Sequence, residues 1–323
     1  MRKISMRQAV NEALHIACHS DDSVFTMGED IAIYGGQLRC SYDLVENFGA
    51  DRVMDTPISE TAIVGAGIGA AMVGMRPIVE LSYIDFIGVC FDQILNQMAK
   101  LRYMYGGNVS VPMVIRTQCG AGLGNGAQHS QSLEGILANV PGIRILIPSN
   151  AYDAKGLLLR AIRDNNPVIF IEHKALYKRK CEVPEEPYEC DYCCDIKREG
   201  KDITIVTYSA MVDQALQAAA DLSKEGIEAE VVDIRSIEPL DLDTIVKSVQ
   251  KTGRALVVHE ACVKGGFGGE LAALIQEHAF ESLKSPVLRV GAPNVPVPFA
   301  PNLEKAYVPD KENIKTAVYN CLK

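Results

Sequence analysis

The stretch Asp55-Thr-Pro-Ile-Ser-Glu-Thr-Ala-Ile-Val-Gly-Ala-Gly-Ile-Gly-Ala-Ala-Met-Val73, continued by Gly-Met-Arg-Pro-Ile-Val-Glu-Leu81, decides the reading of the fold. A turn at Asp55-Thr56-Pro57 leads into a helix that starts at Glu60, and a strand follows over 78–81. Residues 62–73 carry no charge and hold three glycines at alternate positions, Gly65, Gly67 and Gly69. A helix of small and apolar residues feeding a buried strand is one step of an alternating α/β chain. Glu60 stands at the mouth of this buried segment. Burial raises a carboxylate's pKa and lets it share a proton rather than merely hold charge. The helix macrodipole alone also favours Glu in a first turn, so position by itself leaves a structural role open.

The same alternation extends in both directions. Ser5 is placed to cap a first helix with Ala9, Val10, Ala13, Leu14 and Ala17 at helical spacing. A strand over 24–27 ends at Gly28. Beyond the opening stretch the pattern predicts a long helix over 86–104, a strand over 113–115 and a glycine-rich loop over 120–126. A strand over 143–147, a helix over 152–163 and a strand over 168–171 follow. The strands are continuous apolar runs, the mark of a parallel sheet covered on both faces. From 174 to 200 the alternation breaks in a stretch rich in charge and holding Pro184 and Pro187, as expected of an interdomain connection. It resumes with strands over 203–208, 229–234, 255–259 and 287–290, helices over 212–222 and 241–249, and a final helix after the prolines of 293–301. The expected fold class is therefore α/β, with two parallel-sheet domains over 1–180 and 201–323 joined by a linker over 181–200.

Bulk properties exclude several functions. The 323 residues are 48% hydrophobic and 23% charged, an ordinary globular balance with length enough for two cores. A net charge of −9 offers no basic field for nucleic acid or an anionic membrane. No apolar run reaches the roughly 18 residues a membrane span needs, and residues 1–6 lead directly into a helical pattern without a signal or transit segment. A cytoplasmic protein is expected, with its ten cysteines as reduced thiols. Cys190-x-x-Cys193, with Cys194 and Cys181 nearby, fits half of a zinc site, but no second pair follows at the needed spacing.

The polar motifs have modest force taken singly. Gly65, Gly67 and Gly69 suggest a dinucleotide fingerprint and hence a self-contained nicotinamide dehydrogenase. That fingerprint needs a preceding strand and an acidic residue about 20 positions on, and neither is here; close helix packing is the better reading. The loop over 120–126 lacks the Gly-Lys-Ser/Thr of a phosphate loop. It leads to Ala127-Gln-His-Ser-Gln131, and flexible backbone ahead of His129 suits a gate over a site as well as a plain surface loop. Asp164-Asn-Asn-Pro167 reads as a turn, although its oxygens also suit a cation.

Together the motifs are recognisable. Asp55-Thr-Pro-Ile-Ser-Glu60, Arg76-Pro-Ile-Val-Glu80, Ala127-Gln-His-Ser-Gln131, Asp153-Ala-Lys-Gly-Leu157, Ala161-Ile-Arg-Asp-Asn-Asn-Pro167 and Lys251-Thr-Gly-Arg254 occur in one family's order and spacing. The chain resembles, over essentially its whole length, the β subunit of the thiamine diphosphate-dependent first component of 2-oxo acid dehydrogenase complexes. The segments 84–97 and 102–107 look most like acetoin dehydrogenases, and the second half equally like bacterial pyruvate dehydrogenases. The resemblance implies a transketolase-like pyrimidine-binding domain followed by a transketolase-like C-terminal domain. It also implies an α₂β₂ heterotetramer with a cognate α subunit, docked on a lipoyl acyltransferase core. The α subunit would hold the diphosphate and Mg²⁺, in keeping with the absence of Gly-Asp-Gly from this chain.

By the same resemblance, Glu60 would hydrogen-bond the aminopyrimidine ring nitrogen of the cofactor and exchange a proton with it. Phe86 and Ile58 would line that ring, and His129 would move protons on substrate oxygens. Met113, Ala161, Ile162, Asp164 and Asn166 fall at the family's K⁺ site, the first three through backbone carbonyls. The expected reaction is cleavage of acetoin to acetaldehyde and an acetyl group passed to lipoamide. Pyruvate decarboxylation to the same acetyl group is the alternative, and a non-catalytic assembly subunit is a rival from another class.

Overall fold

Strands Val24–Gly28, Val114–Cys119 and Val168–His173 are buried along their whole length, and Arg76–Leu81 is buried from its second residue. In the computed structural model, which describes residues 1–323, they lie side by side as parallel strands. With two shorter strands they run in the order Arg144–Leu146, Val168–His173, Val114–Cys119, Arg76–Leu81, Val24–Gly28, Val53–Asp55. They belong to the first of two units, Met1–Cys119 with Asn139–Asp191. Helix Met6–Ser20 starts at Ser5, whose hydroxyl accepts from Gln8 N while the Gln8 side chain returns to Ser5 N. Its buried stripe, including Ala9, Val10, Ala13 and Leu14, packs against helix Ala151–Arg163.

Helix Glu60–Met72 packs on strand Arg76–Leu81. Gly67 is the close-packing position: a Cβ there would lie 2.9 Å from Val79 Cγ1 and 3.0 Å from Met113 Cε. A Cβ on Gly65 would meet only Gln93 Cγ, at 3.9 Å, and Gly69 faces open space. All three glycines lie inside the helix rather than in a strand-to-helix turn, so they form no cradle for a pyrophosphate.

Three expectations are corrected. The helix over 86–104 is instead a 3₁₀ turn Ile84–Gly88, a π turn Gln93–Met98 and a short α-helix Leu101–Met104. Ile84, Ile87, Cys90, Ile94 and Met98 are all buried, and their spacings of three and four fit one α-helical face, which is why the pattern reads as a single helix. The backbone nonetheless changes pitch twice along this face. The irregular stretch over 174–200 contains two strands, Lys180–Val183 and Asp195–Arg198. Both pair antiparallel, and their exposed, charged residues hide the strand pattern. A strand, Arg2–Ser5, also precedes the first helix and pairs with Lys180–Val183. No helix is long and apolar enough to cross a membrane.

The second unit comprises Gly120–Ala138 and Tyr192–Lys323. Its sheet runs Leu288–Ala292, Ala255–Cys262, Ile203–Thr207, Ala229–Asp233, Asp195–Arg198, parallel except for the last strand. Helices Met211–Ser223 and Lys311–Leu322 close a core that includes Ile205, Leu222, Val231, Leu256 and Ile314.

His259, on the strand Ala255–Cys262, is fully buried among three glycines. A Cβ on Gly266 or Gly291 would come within 2.7 or 2.9 Å of its ring, and Gly268 lies against the opposite edge. Tyr208 stacks on it at 6.5 Å between ring centroids. Burial disfavours the imidazolium and lowers the pKa to about 4. The folded pKa lies below the unfolded value near 6.5, so the unfolded chain takes up the proton first. Stability is complete above about pH 6.5 and is lost as pH falls toward 4, by at most about 3 kcal/mol from this residue. Thermal melts should therefore fall in midpoint between pH 7 and 4.5. His259→Asn should melt lower at pH 7 yet show a flatter decline; an unchanged slope would remove His259 as its source.

Candidate active site

In open parallel sheets, ligands gather outside the carboxyl ends of the strands. In the first unit those ends present an acidic group. Glu29 follows Val24–Gly28, Asp55 closes Val53–Asp55, and Ser82 follows Arg76–Leu81. Asp55 accepts backbone hydrogen bonds from Ala32 at 2.7 Å and Ile33 at 3.3 Å, fixing the chain that leaves the neighbouring strand. Thr56 N donates to Gly28 O at 3.0 Å. These bonds aim the next residues, Pro57 to Ser59, into the helix that Glu60 opens.

Glu60 is 8% exposed, and no group of the chain hydrogen-bonds its carboxylate. Thr61 Oγ1 donates to Val89 O at 2.8 Å and ties this first turn to the segment carrying Phe86. Burial raises the Glu29 pKa, and the Glu60 charge beside it raises it further; a 3.5 Å bond from Ser82 Oγ opposes both. Burial, then Glu60, push the Cys90 thiol up to about 12, so it stays protonated in the core. Phe86 is half-buried and meets Tyr83 edge-on at 6.1 Å between centroids. Ile58 is 80% exposed. Glu60, Glu29 and the aromatic segment thus form one surface, with a buried carboxyl, a flat ring and an apolar rim. That donor set fits a heteroaromatic ring with a basic nitrogen.

Behind this surface lies a network that the sequence reading missed. Arg116, fully buried, donates to Glu80 at 2.7 Å and to both Glu172 oxygens at 2.7 and 2.9 Å. Tyr177 OH adds a bond to Glu172 at 2.5 Å. Burial holds Glu80 above the usual carboxylate range despite Arg116, while the two carboxylates hold Arg116 charged. The available signal was charge inside apolar strand runs: Glu80 and Arg116 are register partners on adjacent strands.

His129 lies in the second unit on the loop that precedes helix Glu134–Ala138, half-buried, with its backbone N–H directed to Gly126 O at 3.5 Å. Gly120 N donates to Gln131 O at 3.1 Å and closes the loop. Beside it opens a cavity of about 520 Å³ lined by Ala127, Gln131, Cys262, Lys264, Asn294 and Tyr307 among others.

The five residues expected at a cation site do come together, but as a braced turn. Asp164 Oδ1 accepts from Asn166 N and Nδ2 at 2.9 and 2.8 Å, and Oδ2 pairs with Arg144 at 2.6 Å. Arg102 donates to Asn166 Oδ1 at 2.7 Å. Arg76 donates to Ile162 O and Asp164 O at 3.0 and 3.1 Å. Met113 O and Ala161 O accept from Val168 N and Asp164 N. The side-chain oxygens are committed, and only carbonyl lone pairs are left for an ion. No group of three or more His, Cys, Asp or Glu residues converges to hold a metal, at the cysteine cluster or elsewhere. Cys194 Sγ instead donates to Asp241 O at 3.4 Å.

Residues 2–180 match the model of the transketolase pyrimidine-binding domain, and residues 193–314 that of the transketolase C-terminal domain. The chain is 49% identical to acetoin:2,6-dichlorophenolindophenol oxidoreductase subunit beta of Cupriavidus necator, over 100% of this chain and 98% of that protein. It is 45% identical to pyruvate dehydrogenase E1 component subunit beta of Bacillus subtilis, over 97% of each. A solved split-gene transketolase, described as an inactive β4 tetramer, shares the fold at a TM-score of 0.80 and 24% identity, over 99% of this chain and 98% of that one. The chain thus belongs to the family of β subunits of the thiamine diphosphate-dependent first component of 2-oxo acid dehydrogenase complexes.

Proposed function

We propose that the chain is the β half of an acetoin-cleaving dehydrogenase, acting with a cognate α subunit in an α₂β₂ heterotetramer in the cytoplasm. The observation that carries the mechanism is the buried Glu60 carboxylate, which has no partner within its own chain. When bound, thiamine diphosphate supplies a nucleophilic carbon and an electron sink, which side chains cannot provide. Glu60 would hold its aminopyrimidine nitrogen and pass a proton to and from it. Glu29, whose pKa is raised, would temper the negative charge beside Glu60. Phe86 and Ile58 would flank the ring and exclude water. His129 would donate to and accept from the substrate oxygens. Acetoin would yield acetaldehyde, while its acetyl group and two electrons go to the lipoamide disulfide of the acyltransferase core.

The outward face of the first unit supports a partner chain. Ala62, Ala66 and Gly69 form an exposed small-residue face of helix Glu60–Met72, where a second helix can approach closely. That partner would hold the diphosphate and Mg²⁺. K⁺ at the turn would be held by the carbonyls of Met113, Ala161 and Ile162 beside Asp164 and Asn166. It would brace the fold and take no part in a step.

The similarity to pyruvate dehydrogenase β subunits favours pyruvate as the second reading. The test is an assay of the co-expressed α and β subunits with thiamine diphosphate, Mg²⁺ and 2,6-dichlorophenolindophenol. Acetoin and pyruvate are offered separately. Acetaldehyde from acetoin without carbon dioxide is expected. Carbon dioxide from pyruvate with acetoin inert would transfer the chain to pyruvate dehydrogenase.

A further inference from the structure

The loop that carries His129 is held by two buried carboxylates from distant parts of the second unit. Glu304, 5% exposed on the helix Pro301–Tyr307, accepts Gly122 N at 2.8 Å and Gly124 N at 3.2 and 3.0 Å on its two oxygens. Glu260, 7% exposed on the strand Ala255–Cys262, accepts Ala121 N at 2.7 Å. The alternate amides point at one anion because Gly120, Gly122, Gly124 and Gly126 all have φ between 68° and 101°. Such a backbone hollow binds anions, and here the protein's own carboxylate fills it. A carboxylate suits the place because it accepts only, whereas a carboxamide would turn its NH₂ toward an amide N–H. Its charge strengthens each bond, and removing it would leave the loop amides without their acceptor. From Gly124 the chain runs through Gly126, whose carbonyl receives the His129 amide, so the anchor lies a few residues from the imidazole.

We infer that Glu304, assisted by Glu260, is a positioning residue for His129, fixing the loop so that the imidazole meets the substrate in one place. The inference rests on the proposed role of His129. Misplacing a catalytic group through a distant change costs up to roughly 10²-fold in rate.

In the assembled α/β enzyme with acetoin and 2,6-dichlorophenolindophenol, Glu304→Ala is expected to lower kcat roughly 10- to 100-fold. The KM for acetoin and the affinity for thiamine diphosphate should change little. Amide hydrogen exchange over residues 121–126 should quicken, and Glu304→Gln should fall between wild type and Ala. Residues acting as one unit are not additive, so Glu304→Ala placed in His129→Ala should slow the enzyme no further. An additive double variant, or unchanged exchange in the loop, would overturn the inference. If Glu304→Ala fails to fold, Glu304→Gln carries both readouts. If His129→Ala alone leaves kcat intact, the role of His129 falls and the inference with it. The exchange data then still report whether Glu304 orders the loop.

Discussion

Glu60→Gln is expected to lower kcat in the assembled enzyme by roughly 10²-fold or more, the scale of one lost proton-transfer group. The substitution keeps the size of the side chain and one acceptor oxygen, so the helix Glu60–Met72 and its packing should persist. What is lost is the capacity to give and take a proton in a dry site, which a carboxamide lacks. Cofactor affinity should fall far less than kcat, because the amide can still hydrogen-bond a ring. The pH profile should change as well. Removing the Glu60 charge takes away one cause of the raised Glu29 pKa, so Glu29 should titrate lower in the variant. A loss of kcat below about threefold would return the chain to the assembly-subunit reading, since general acid–base groups contribute far more than that.

Arg116→Met should produce the largest loss of stability among single changes. It strips the only cation from a buried group that keeps Glu80 and Glu172 at 3% and 0% exposure. Breaking a buried ion pair from one side costs about 3–5 kcal/mol, because the remaining charge stays desolvated. For a unit of this size that is a drop in melting temperature of roughly 10 °C. The companion variant Glu80→Leu/Arg116→Met/Glu172→Met removes all three charges together. It should recover much of the loss, since replacing a whole buried ionic group by apolar residues is often near neutral. Differential scanning calorimetry of the three proteins separates the outcomes. If the single and triple variants melt together, the cost lies in packing rather than in orphaned charge.

Much of the fold was legible because it is written locally. Ser5 and Gln8 form the expected capping box, and the strands at Val24, Ile78, Val168 and Ala229 lie where apolar runs place them. Helix Glu60–Met72 begins at the predicted residue, with Ser59 in a non-helical conformation at its N-cap. The turn at Asp164 was equally readable, since Asp and Asn satisfy the backbone two residues on. The helix over 86–104 failed because its apolar spacings of three and four suit one continuous α-helical face, and nothing in that pattern marks the junctions between its 3₁₀, π and α pieces.

The sequence by itself determined most of the alternating strands and helices, the parallel core of each sheet and the place of Glu60 at a helix mouth. These follow from periodicity and capping, which act between residues a few positions apart. The tertiary structure decided which polar groups meet. Arg116 finds Glu80 and Glu172 only because strands separated by whole helices adopt one register. Glu304 reaches Gly122 and Gly124 across some 180 residues of chain. No local pattern encodes such pairs, for a buried charge specifies only that a partner must exist. The packing of distant elements chooses which one it is.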